Sequence, residues 1–373
     1  MTHPVELGRV AQIFNGKTPA KTDQRAKGHP VLKIRDIDDD GRFRGSHESF
    51  VEPHFAQQFR DRMVRQGDTL ILNAAHNADY VASKLTLAAA DVEGSLATGE
   101  WLIVRPTAAD ARFVHYWLQS MATRHSLRDL VKGIHLYPKD VARLLIPVSS
   151  RDEQRRIADV LDKADAIRRK RKEAITLTGE LLRAAFLEMF GDPVTNPKGW
   201  PRDTIGNLLT LKSGDFLPAK QMDLNGPYAV YGGNGINGRH SSYMFEDPVI
   251  TIGRVGVYCG VVHRTEPRSW VTDNALYVAN HSNGLIAVYL EHALRLANLN
   301  QYASQAAQPL ISSGRLAPVP LVVPPKALQD RFAKVVDAHE VVSSSVRKGL
   351  AESETLFDGL VAQSFSRSLE AAC

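Results

Sequence analysis

Two stretches of the chain carry apolar residues at helical spacing, and the stretches that precede them are patterned quite differently. No Pro or Gly interrupts Arg151–Thr178, where Ile157, Leu161, Ala164, Ile167 and Ala174 recur three or four residues apart opposite a heavily charged face. Leu181, Ala185 and Met189 continue the stripe beyond Gly179. This predicts one amphipathic helix, about 60 Å long if unbroken at 1.5 Å per residue. Ser149 or Ser150 ahead of Asp152 and Glu153 supplies the start signal, and Gly191-Asp192-Pro193 the stop. The second stretch, 327–369, has its apolar positions at Leu328, Phe332, Val335, Val336, Val342, Val346, Leu350, Leu356 and Leu360. A helix this long must bury its stripe to persist in water. The expected solution is that each long helix packs against the other, antiparallel, with globular parts held apart.

The remaining stretches read as α+β. In residues 1–148, Pro30–Ile34, Asp68–Leu72 and Trp101–Val104 are strand candidates bounded by Gly, Asp or Pro. Ala111–Met121 carries Phe113, Tyr116, Trp117, Leu118 and Met121 at helical spacing before a Gly133–Pro138 loop. In residues 202–323, Val249–Ile252 and Ala275–Val278 read as strands and Ile286–Leu296 as the matching late helix. Pro197-Lys198-Gly199-Trp200-Pro201 reads as a linker, and Pro318, Pro320, Pro324 and Pro325 mark the second exit.

The two halves are degraded copies of one another. Residues 146–177 return at 321–352, with Gln154 falling on Gln329, Arg156 on Arg331, Ala158 on Ala333 and Asp162 on Asp337. Leu7-Gly8 through Gly16 match Ile205-Gly206 through Gly214, and Pro19-Ala20-Lys21 match Pro218-Ala219-Lys220. Gly41-Arg42 echoes Gly238-Arg239, and Ala97-Thr98 ahead of Trp101 resembles Val271-Thr272 ahead of Tyr277. The order is globe, helix, globe, helix, which suits a target that comes in two halves.

Bulk properties narrow the picture only modestly. A chain of 373 residues favours two domains, and 43% hydrophobic residues with a mean hydropathy of -0.22 indicate a soluble globular protein. No apolar run reaches membrane-span length, the N-terminus lacks a secretory pattern, and Cys259 and Cys373 form no disulfide framework or metal spacing. A cytoplasmic location is therefore expected. A net charge of +5 and a pI near 9.1 are compatible with nucleic acid but not diagnostic.

Several motifs dissolve on inspection. Asn15-Gly16-Lys17-Thr18 ends like a phosphate-binding loop, but Ala11 occupies the first glycine position and Pro19 blocks an immediate helix. Asp36-Ile37-Asp38-Asp39-Asp40-Gly41 starts like a calcium loop, yet His47 stands where the bidentate acid belongs, leaving an acidic hairpin tip. The thirteen histidines show no ligand spacing, and no methyltransferase or nuclease motif is complete, so no cofactor and no metal are expected. The run Arg168-Arg169-Lys170-Arg171-Lys172 reads either as a solvated helix face or as a phosphate-neutralising strip.

Residues 138–162, PKDVARLLIPVSSRDEQRRIADVLD, resemble the central region of type I restriction–modification specificity subunits. Phe186 through Pro193, Asn196 through Trp200, Tyr231 through Ile236, Ile252 through Gly256 and Trp270 through Asp273 are also similar to that family. The resemblance covers essentially the whole chain and is weakest over 1–130. It implies an α+β chain of two tandem target-recognition domains, 1–148 and 192–323, each followed by a long helix, 149–191 and 324–373, the helices pairing as an antiparallel coiled coil. It also implies a non-catalytic, cytoplasmic subunit that reads a bipartite, asymmetric site on double-stranded DNA. Two methyltransferase subunits would dock on it, and through them a restriction and translocase subunit. The second copy departs from the pattern: Leu328 stands where Glu153 does. The alternatives are a stand-alone methyltransferase or nuclease, and a scaffold that binds only proteins.

DNA readers need cations for phosphates and Arg, Lys, Asn or Gln for base edges. The first-globe candidates are Lys17, Thr18, Lys21, Lys33, Arg35, Asn73, His76, Asn77, Lys132, His135 and Tyr137. Those of the second are Lys212, Ser213, Lys220, Tyr231, Asn234, Asn237, Arg239, Arg254 and Tyr258. On the helices, Glu153, Gln154, Ile157, Leu161, Gln329, Phe332 and Val336 are the candidate partner-docking positions.

Overall fold

In the computed structural model, residues 3–223, 225–305 and 308–366 are described. The chain divides into two compact units, Met1–Lys172 with Lys348–Cys373, and Glu173–Arg347. Both contain part of each long helix, so neither helix stands outside a unit.

The first unit is built on a four-stranded antiparallel sheet in the order Ala11–Asn15, Trp101–Pro106, Thr69–Leu72, Leu85–Leu87. A second sheet runs Gln24–Arg25, Phe50–Val51, His29–Leu32, Leu96–Ala97, its last pair parallel. The predicted strand over 30–34 ends at Leu32 because the Asp36 carboxylate accepts the Lys33 N–H at 2.7 Å and closes a helical turn over Ile34–Asp36. The helix expected over 111–121 stops at Gln119, because the Ser120 hydroxyl accepts the Thr123 N–H and starts a second helix, Met121–Asp129. His3–Glu6 pairs antiparallel with Leu145–Val148, joining the start of the globe to its end.

The second unit repeats this plan. Its main sheet runs Leu209–Ser213, Ala275–His281, Ile250–Gly253, Val262–Arg264. Its smaller sheet runs Gly235–His240, Tyr228–Gly232, Trp270–Val271, again with a parallel last pair. Arg202–Thr204 pairs antiparallel with Pro320–Val322 as the closing ribbon. The late helix is Ala287–Leu296.

The central helix, Arg151–Phe190, and the terminal helix, Lys326–Ser366, lie where the stripes predict them; residues 367–369 of the expected terminal helix, like Cys373, fall outside the described residues. Ser150 caps the first, its hydroxyl accepting the Glu153 N–H at 3.3 Å. Gly191, at φ +78, ends it, and a side chain there would collide with Pro197. The linker folds back on this end: the Trp200 indole donates to the Phe190 carbonyl at 2.9 Å.

Within the first unit the helices pair antiparallel. Arg168 lies over Phe357, and Lys172 reaches Glu354 at 3.8 Å, the partner number falling as the central helix rises. Leu161, Ala164, Phe357, Val361 and Phe365 share one core with Phe113 and Trp117. In the second unit Phe186 and Phe190 meet Phe332 edge-on at 5.3 and 5.5 Å, beside Tyr289. The buried seam of the terminal helix passes through the polar residues Gln329, Ser343 and Ser353. That displaces the stripe read from hydrophobicity: Ile167, Leu181, Val335, Val342 and Leu356 are exposed. Among the described residues no helix is long and apolar enough to cross a membrane.

Candidate nucleic-acid interface

Each unit carries the same elbow at one edge of its main sheet. Gly16 donates to the Trp101 carbonyl at 2.9 Å and Lys17 to that of Ala97 at 2.7 Å. In the second unit Gly214 donates to Ala275 at 3.1 Å and Asp215 to Val271 at 3.0 Å. A Cβ at Gly16 would lie 2.3 Å from the Ala97 and Thr98 carbonyl oxygens; at Gly214 it would lie 2.3 and 2.5 Å from those of Val271 and Thr272. Only glycine admits this approach, which explains why the two glycines survive in both copies.

The end of the central strand completes the elbow. Asn73 donates its backbone N–H to Glu100 at 2.8 Å and receives that of Leu136 at 2.8 Å, while Ala74 bridges His135. Arg254 donates to Asn274 at 2.9 Å and receives Ile311 at 2.8 Å, while Val255 bridges Leu310. The side chains match in role: the Asn73 amide donates to Asn15 Oδ1 at 3.1 Å, and Arg254 Nη1 donates to Ser213 Oγ at 3.0 Å. One backbone frame therefore presents different chemistry in each unit.

Most candidates of the first unit converge on this frame. Lys17, Asn73 and His135 are brought to one edge by the contacts above, Lys132 bridges His135, and Thr18, His76, Asn77 and Tyr137 adjoin them along the chain. Thr18 Oγ1 accepts the Gly99 N–H at 2.8 Å. Asn77 caps the turn Ala78–Tyr80, and His76 stands exposed beside it. Lys132 pairs with Asp140 at 2.7 Å, a hydrogen bond that holds the Asp140 carboxyl below its usual range. Lys33 follows Leu32, whose carbonyl accepts the Thr98 N–H at 3.1 Å. Arg35 is tied to Glu48 at 3.1 Å, and Lys21 sits exposed on the turn Lys21–Asp23. Asn73 is only 3% exposed, so its amide orients Asn15 instead of reaching outward.

In the second unit Lys212, Ser213, Asn234, Arg254 and Tyr258 lie on the equivalent edge. Asn234 is exposed in the turn between Tyr228–Gly232 and Gly235–His240, next to Gly233, whose Cβ position faces the Asn274 carbonyl. Asn237 lies against Gly232, and Lys220 is exposed on the turn Ala219–Gln221. Two candidates are structural. Tyr231 is 5% exposed in an apolar cluster, its hydroxyl accepting the Glu266 N–H at 3.0 Å. Arg239 spends its guanidinium on the Gly226 and Pro227 carbonyls.

The helix candidates are also turned inward. Gln154, 1% exposed, accepts the Asp110 N–H at 2.8 Å and donates to the Ser149 carbonyl at 2.8 Å. Gln329, 0% exposed, accepts the Ile286 N–H at 3.0 Å and donates to Gly284 and Pro324 at 2.8 Å each. Each glutamine thus joins the start of a long helix to the start of its globe's late helix. Leu161, Phe332 and Val336 are buried and Ile157 half-buried in the same cores, whereas Glu153, also half-buried, packs in neither core and pairs with Arg156 at 2.7 Å. Of the basic run, Arg168 and Arg169 pair with Asp165, and Lys172 pairs with Asp40 of the acidic hairpin tip at 2.6 Å.

Sequence reasoning passed over Arg60 and Arg62. They sit on a turn after the helix Pro53–Gln58, with Arg62 donating to the Asn15 carbonyl at 3.3 Å and Lys17 standing 5.1 Å over Phe59. Buried Arg105 fixes that turn: it pairs with Asp68 at 2.9 and 2.7 Å and donates to the Asp61 and Met63 carbonyls. Exposed Phe216 and Val257 flank the second elbow and carry no motif that would have found them. Among the described residues no cluster of His, Cys, Asp or Glu is placed to hold a metal.

No family model matches the chain. It is similar to the type I restriction enzyme EcoprrI specificity subunit of Escherichia coli, 26% identical over 361 residues, covering 91% of this chain and 88% of that one. Its fold is similar to the crystal structure of a type I restriction–modification S subunit from M. genitalium, with a TM-score of 0.59, 15% identity and coverage of 98% and 96%. A structure described as the basis of complex assembly and conformational transition in the type I system matches with a TM-score of 0.53, 18% identity and coverage of 98% and 97%.

Proposed function

We propose that this chain, which belongs to the type I restriction–modification specificity subunits in sequence and in fold, is the non-catalytic DNA-reading subunit of such a complex. It works in the cytoplasm, on double-stranded DNA, and reads a bipartite, asymmetric site. The target-recognition domains are 1–148 and 192–323, and the helical segments 149–191 and 324–373 serve spacing and assembly. Methyl transfer and cleavage fall to methyltransferase subunits, two per chain, and to the restriction subunit they recruit.

One observation carries this reading: two units with one backbone frame present different side chains at the same edge. A repeat that bound only proteins through its helices would not need its sheet edges to diverge while their hydrogen bonding stayed fixed. Phosphate contacts come from Lys17, Arg60 and Arg62 in the first unit and from Lys212 and Lys220 in the second, and base contacts from the loop tips between them. The methyltransferases have apolar helix surface to cover, at Val160, Ile167 and Leu356 in the first unit and Leu177, Leu181, Val341 and Val342 in the second.

Methylation profiling of a randomised target library, with this chain and its cognate methyltransferase, tests the proposal. A motif of two short specified halves around an unspecified gap is the expected result. Methylation without this chain, or a single contiguous motif with it, would refute the reading.

A further inference from the structure

We propose that Arg254 is the residue through which the second unit selects a guanine, with Val257 at its side selecting an adjacent thymine methyl. This rests on the DNA-reading function above and names where specificity is written within it. The equivalence of the two elbows carries the argument. Asn73 and Arg254 close the same strand end with the same backbone bonds, and Asn15 and Ser213 face them from the same neighbouring strand.

At this shared position the first unit places a short amide, buried against Asn15. The second places a long guanidinium that reaches Ser213, an exposed residue, with Nη1 donating to its hydroxyl at 3.0 Å and to the Asp273 carbonyl at 3.3 Å. The Arg254 Nε is buried and has no hydrogen-bond partner among the described residues. A buried donor without an acceptor is unfavourable, so the guanidinium gains by swinging toward a pair of acceptors. Guanine O6 and N7 in the major groove are such a pair, spaced for the planar fork of arginine.

The loop tip supplies the second contact. Three residues beyond Arg254, Val257 is 86% exposed on the turn Gly256–Tyr258. That turn is fixed from below: Gly256 donates to the Pro309 carbonyl at 2.9 Å, and buried Cys259 shares its single Sγ–H between the Arg254 and Pro309 carbonyls. A branched aliphatic side chain held rigidly in water beside a guanine-reading arginine fits a thymine methyl. In the first unit the residue three beyond Asn73 is His76, exposed and polar, so that unit lacks both features.

The test uses the full chain with its cognate methyltransferase and the randomised methylation library. R254N with S213N installs the first unit's pair in the second. One guanine of one half-site is expected to lose roughly ten- to a hundredfold of its preference, the other half-site staying unchanged. R254K keeps the charge but not the fork, and should weaken the same guanine while methylation of the library as a whole persists. V257S should relax the position next to that guanine and no other. An unchanged motif in R254N/S213N or R254K, or equal loss in both halves, would overturn the assignment although the wild-type motif stayed bipartite. A wild-type motif without two halves would instead defeat the parent reading. Should the double variant fail to fold, R254K alone decides.

Discussion

At the scale of single residues, buried polar groups decide most. Gln329, itself fully buried, satisfies the Ile286 N–H and the Gly284 and Pro324 carbonyls, and Gln154 satisfies one N–H and one carbonyl in the other copy. Gln329→Leu keeps the volume but strips the Ile286 N–H and the buried Pro324 carbonyl of their partner, while exposed Gly284 is rehydrated, and each orphan costs about 1–3 kcal/mol. We expect a loss of about 2 kcal/mol or more in chemical denaturation; a loss below about 1 kcal/mol would show the glutamine is incidental. His115 and His292 behave alike. Burial lowers both from 6.5 to about 4, with Arg169 adding to the effect at His115 and Arg295 at His292. Between pH 6.5 and 4 the unfolded chain binds protons that the folded chain refuses, so stability rises with pH there and falls on acidification. The slope reaches at most about 1.4 kcal/mol per pH unit for each histidine. Thermal unfolding from pH 7 to 4 should show it, and His115→Gln should flatten it.

At the scale of elements, the long helices do two jobs that their sequence merges. Their buried faces complete the cores of the globes, which is why Phe113 meets Phe365 and Phe186 meets Tyr289. Their exposed faces are left for spacing and assembly. The central helix passes from the first unit to the second just before Ala174. Four residues inserted there lengthen it by about 6 Å, one to two base-pair steps of about 3.4 Å. The gap in the methylated motif should widen by that amount with both halves unaltered. A gap that stays fixed would mean the helix does not set the spacing.

At the scale of the whole molecule, a net charge of +5 is too small to hold DNA by itself, so affinity must come from clustered cations. Lys17 and Arg62 are such a cluster, tied to Phe59 and to the Asn15 carbonyl. If both touch phosphates, K17A with R62A lowers the slope of log affinity against log salt by about 2, near 0.9 per contact. Binding should weaken across all sequences alike. A variant that changed the preferred bases while keeping the slope would reassign these residues to base reading.

The extent of the helix Arg151–Phe190, the start of Lys326–Ser366, the tandem repeat and the late helices were legible in the sequence, because they rest on local spacing, capping and chain breakers. The edge strand Ala11–Asn15 was not, since its role comes from pairing with Trp101–Pro106 some ninety positions on. Nor was the fate of individual polar residues. Tyr231, Arg239 and Asn73 are the types that read DNA, yet neighbours distant in sequence claim all three for the fold, while Arg60 and Arg62 are delivered to the elbow by a buried Asp68–Arg105 pair. Local pattern determines which elements form. Only tertiary packing decides which hydrogen-bonding groups are used up inside them and which remain for a ligand.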